Sequence, residues 1–114
     1  MGSKNSDNLK DIFTVLGMVK DYFYTNGLMG KYLTEIEYLY IEHLILYGGF
    51  RFMRSSNSNA LMKEAFSTMK LNFPTWRQNP YISSLKRTYR VYLFFFSEWM
   101  VPYISQLLKL KERN

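Results

Sequence analysis

Along residues 33–53 the large residues Leu33, Ile36, Tyr40, His43, Leu44, Tyr47 and Phe50 recur at steps of three and four, which places them on one side of a helix. That side is expected to be core. Leu39, Ile41, Ile45 and Leu46 fall outside the stripe, so the pattern predicts a central helix covered on more than one side. We take this helix, from near Leu28 to about Arg54, as the hub of the domain. Gly48 and Gly49 lie inside it. At roughly 1 kcal/mol each relative to alanine, they predict a bend in a continuous helix.

The flanking pattern supplies the partners. Ser6, Asp7 and Asn8 offer caps to a first helix carrying Leu9, Ile12, Phe13, Leu16, Val19 and Phe23, and Asn26-Gly27 ends it with residues that tolerate the left-handed conformation. The polar run Ser55 to Asn59 is expected to cap a third, amphipathic helix bearing Leu61, Met62, Ala65, Phe66, Met69 and Phe73, which Pro74 stops. Asn79 as cap and Pro80 at the first helical position predict a fourth helix running through Met100, with Pro102 kinking or ending it. The expected fold is all-α, a small bundle of four to five helices, with a lead over 1–8, a core over 9–85 and a basic, aromatic helix over 86–114. Phe73 and Trp76 are expected to turn back onto the bundle as anchors, because each forgoes roughly 1.5 to 3 kcal/mol when left in water. His43 is expected as a third structural anchor.

Composition narrows the chemistry. A chain of 114 residues makes one domain, and without cysteine it has no disulfide, thiolate metal site or thiol nucleophile. His43 and Glu42 are adjacent and point about 100 degrees apart on a helix, so they do not form an acid–base pair. Glu35, Glu37 and Glu42 read as a solvated face, since no second histidine or matching carboxylate helix completes a metal site. Neither a phosphate-cradling glycine loop, nor a serine elbow, nor a D-x-D pair occurs. We expect no catalytic, cofactor-binding or metal-binding residue in this chain. Met1-Gly2-Ser3 with Lys4, Asn5 and Ser6 fits the letters of an acylation signal, but we read it as a plain start.

Charge changes the picture in the second half. From residue 58 onward nine basic residues oppose Glu64, Glu98 and Glu112, which accounts for the whole net charge of +6. Lys86, Arg87 and Arg90 precede Phe94, Phe95 and Trp99, and Lys109, Lys111 and Arg113 follow. These nine residues form the expected membrane or partner surface, a helix lying in an anionic interface. Glu98, Lys109 and Pro102 exclude a bilayer span. Nucleic acid is disfavoured, because the basic residues flank apolar clusters instead of lining one polar face.

Two segments resemble the C-terminal helical extension of bacterial family 2 glycosyltransferases of capsule and exopolysaccharide synthesis. They are Glu37 to Leu46 (EYLYIEHLIL) followed by Arg51-Phe52-Met53, and Met69 to Tyr81 (MKLNFPTWRQNPY). The second is the more specific, and the likeness covers roughly residues 9 to 85. The resemblance implies a parent whose GT-A domain binds a nucleotide sugar and a divalent metal. This part would serve membrane apposition, self-association or acceptor positioning, in the cytoplasm, peripheral at the inner face of the plasma membrane. The family's catalytic domain has no counterpart here, so none of its catalytic residues is carried over. A helical oligomerisation module is the other expected class.

Overall fold

The computed structural model describes residues 6–113, and side chains over 9–110. The acylation-like letters therefore lie outside the described residues, as do the side chains of Lys111 and Arg113. Helix α1 spans Ser6–Thr25. Its end is a Schellman closure: Gly27 adopts φ +69° and donates to Tyr24 O, while Leu28 N donates to Phe23 O at 2.8 Å. The expected role of Asn26-Gly27 holds for the expected reason.

The hub runs from Met29 to Met53 but is not one regular helix, and it kinks at Tyr32, where φ is −113° and ψ 19°. Helix α2, Met29–Tyr40, passes into a six-residue π-helical turn, Ile41–Leu46, and then into α3, Tyr47–Met53. The irregularity expected at the glycines thus lies just before them. Helices α4 (Ser58–Asn72), α5 (Arg87–Phe95) and α6 (Val101–Arg113) complete the bundle. With the hub counted once this makes five helices, and no strand occurs among the described residues.

Widening the hub by one turn of π-helix changes which residues face inward. Ile36, Tyr40 and Leu44 are buried as the stripe predicts, but so are Ile41, Ile45 and Leu46, each with no exposed surface. Tyr47, expected in the core, is 44% exposed, Leu33 is 49% exposed, and His43 and Phe50 are half-buried. Bonds that skip one residue more than in an α-helix rotate everything downstream, so a 3.6-residue stripe loses its phase there. The hub is covered on several sides, by α1 along α2, by α4 and α6 along α3, and by α5 along the π-turn. Phe13 stacks on Phe52 at 5.6 Å, Tyr40 meets Phe73 edge-on at 5.0 Å, and Phe50 lies against Tyr92 at 4.9 Å.

Long-range side chains satisfy backbone groups that the irregular hub leaves open. The Tyr92 hydroxyl of α5 donates to Ile45 O at 2.8 Å, within the π-turn. The Ser105 hydroxyl of α6 donates to Met53 O at 2.6 Å, closing the hub's end. The run Ser55 to Asn59 is expected to cap α4, but Ser55 instead turns to the hub. Its hydroxyl donates to Phe52 O and accepts from Asn57 N, so the serine run seals the hub, and Asn57 precedes α4 without a side-chain cap.

Burial pushes the Tyr92 hydroxyl well above its ordinary value. A folded-state value above the unfolded one of about 10 gives stability that is complete below that pH and is lost as pH rises past it. Tyr92→Phe should cost about 1 kcal/mol at neutral pH and should flatten the alkaline loss. Urea denaturation across that range measures both; an unaltered alkaline slope in the variant would exclude Tyr92 as the source.

The expected fourth helix, continuous from Pro80 to Met100, is instead broken twice. Pro80–Ser84 forms a short 3₁₀ turn, Leu85 and Lys86 are extended, and α5 ends at Phe96, where the chain again extends before the 3₁₀ turn Glu98–Met100. Pro102 neither kinks nor ends a helix. It stands in the first turn of α6, where a missing N–H costs nothing because those donors have no intrahelical acceptor.

Candidate functional site: an internal clasp and an open basic-aromatic face

The connection Phe73 to Tyr81 is where the sequence concentrates its specificity, and the structure makes it a clasp on the hub. Phe73 and Trp76 are both buried, as expected of anchors. Arg77 stacks over the Trp76 ring at 4.3 Å, and its guanidinium donates to Leu93 O at 3.2 Å and to Phe96 O. One arginine thus covers the indole and caps the carbonyl end of α5, which explains why the helix stops there.

Asn79 is a buried polar residue with every group engaged. Its Oδ1 accepts from Tyr81 N at 2.9 Å, while Nδ2 donates to Thr34 O at 3.0 Å and Glu37 Oε1 at 2.9 Å. Tyr81 donates to Glu35 Oε2 at 2.6 Å, and its ring lies 5.5 Å from that of Tyr38. The bond from Tyr81 holds the Glu35 carboxyl below its ordinary value and pushes the Tyr81 hydroxyl up. Glu35 and Glu37 are therefore bonding partners of the clasp and not simply a solvated face. Asn79→Ala should cost about 1 to 3 kcal/mol, since Glu37 and Thr34 O lose a buried donor. An unchanged denaturation midpoint would show that water replaces the amide without loss.

The hydrogen-bonding groups of the clasp are engaged. Its polar atoms bond to one another, and no group of three histidine, aspartate or glutamate side chains able to hold a metal exists among the described residues. His43 is half-buried in the π-turn. A cavity between α1, the hub and α4 is lined by Lys20, Asp21, Tyr40, Thr68 and Asn72 together with Phe13, Leu16 and Leu44.

The predicted surface residues divide. Lys86, Arg87 and Arg90 are exposed, Lys109 is half-buried, and Phe94, Phe95 and Trp99 are 70%, 64% and 71% exposed. Phe96, between them in sequence, is buried against Phe66 and Tyr92. The run of three phenylalanines thus splits, two outward and one inward. Trp99 also begins a row that sequence reasoning did not name, continuing through Tyr103, Leu107 and Leu110 of α6, all exposed and spaced by four, four and three. The same helical spacing used for the core would have found it. No described helix is long and apolar enough to cross a membrane.

Comparison with known proteins adds no relative: no protein family, curated protein or solved structure matches this chain.

Proposed function

We propose that this chain is a non-catalytic helical docking module that serves a bacterial family 2 glycosyltransferase. The observation that carries the reading is the clasp. The two segments behind the resemblance, Glu37 to Leu46 and Met69 to Tyr81, meet through Asn79 on Glu37, Tyr81 on Tyr38 and Phe73 on Tyr40. A shared pattern built of mutually bonded residues specifies a scaffold. Its polar groups are consumed internally, and what it leaves open is the outer face of α5 and α6. In this reading the nucleotide sugar and divalent metal belong to the parent's GT-A domain. The purified chain should neither hydrolyse nor transfer from nucleotide sugars. Turnover that tracks the protein through purification would overturn the non-catalytic assignment. A GT-A domain with a D-x-D pair encoded directly upstream of this segment is the expected genetic context, and its absence would remove the glycosyltransferase part. The exposed row on α6 favours a second role, self-association, which sedimentation equilibrium tests directly.

A further inference from the structure

Helix α5 carries two rows in which an arginine stands one turn ahead of an apolar tip: Arg87, Val91 and Phe95 in one, Arg90 and Phe94 in the other. The two rings meet edge-on at 5.0 Å and are open to solvent. They have no room to fold back, because the opposite side of α5 is filled by Leu93 and by Tyr92 against the hub. The arginines also border a shallow depression floored by these same apolar side chains. The helix contains no acidic residue, and neither arginine has an ionic partner among the described residues.

We infer that α5 lies in the plane of an anionic lipid surface, with Phe94 and Phe95 at the acyl boundary and Arg87 and Arg90 on headgroup phosphates. Charge complementarity selects lipid. The face joins guanidinium groups to apolar tips on a chain whose second half holds its whole positive excess, and a headgroup layer offers phosphate above hydrocarbon. With nine residues, α5 is an in-plane element. Trp99, exposed four residues beyond Phe95, suits the same boundary. This inference rests on the docking-module reading and commits its open face to one partner.

The test is co-sedimentation of the full chain with vesicles of phosphatidylcholine alone and of an equal mixture with phosphatidylglycerol. Binding is expected only with the mixture, and it should weaken as salt rises. R87Q/R90Q should reduce it about thirtyfold, from about 1 kcal/mol per basic residue near an anionic surface. F94S/F95S should reduce it comparably while leaving the melting temperature in place, since both rings are exposed. Trp99 emission should shift to the blue on binding and be quenched by brominated lipid, whereas buried Trp76 responds little. Failure of the folded chain to bind the mixture at low salt would overturn the inference and make α5 a protein contact. Binding indifferent to F94S/F95S would overturn it too. Either result beside an upstream GT-A domain leaves the docking-module reading standing, whereas turnover of nucleotide sugars removes that reading whatever the vesicles show.

Discussion

Gly48→Ala should be the most damaging single-methyl change in this protein. A Cβ built on Gly48 would stand 1.6 Å from the carbonyl oxygen of His43 and 2.3 Å from its carbon. Both are backbone atoms of the π-turn, so no side-chain rotation relieves the clash. The hub has to rewind, and Leu44, Ile45 and Leu46, none with exposed surface, would leave their places with it. We expect a loss of at least about 3 kcal/mol, at or beyond the usual limit of overpacking, and a fall in Tm of more than about 10 °C. Gly17→Ala is the control. It lies within α1 with nothing within 4 Å of its added Cβ, so it should gain about 0.5 to 1 kcal/mol from helix propensity. Thermal and urea denaturation of the two variants decide the matter, and equal stability of Gly48→Ala and the parent would refute the π-turn.

Trp76→Ala should cost about 3 to 5 kcal/mol, the range for truncating a buried aromatic, whereas Trp99→Ala should stay within about 0.5 kcal/mol of the parent. Trp76 is buried beneath Arg77, and that arginine in turn holds the carbonyls of Leu93 and Phe96. Removing the indole therefore leaves a cavity and loosens the cap of α5. Trp99 touches no such network and is 71% exposed. The pair separates scaffold from surface with the same substitution: a Trp76→Ala protein that melts with the parent would mean that the clasp does not hold the bundle.

The clasp itself was half legible. Asn79-Pro80 announces a capped start in any sequence, and the Asn79 side chain does accept from Tyr81 N. The element it starts is only a five-residue 3₁₀ turn, because Asn79 is also tied to Thr34 O and Glu37 across the hub. The aromatic surface shows the same division. Position along the chain identifies Phe94, Phe95 and Phe96 as a cluster, yet only packing against Phe66 and Tyr92 decides that Phe96 is the one inside.

What the amino-acid order determined by itself was whatever depends on neighbours in the chain. That includes the helical character, the end of α1 at Asn26-Gly27, the burial of Phe73 and Trp76, and the gathering of positive charge after residue 58. Tertiary structure decided the rest. A periodic stripe assigns faces only while every turn has the same pitch, so past the π-turn at Ile41–Leu46 the stripe residue Tyr47 lies outside the core, while Ile45 and Leu46 are buried as the covered hub predicts. A helix also ends where a donor from elsewhere takes its last carbonyls, and Arg77 reaches Phe96 across 19 residues of sequence. No local pattern carries that information, because the bond exists only once the chain has folded.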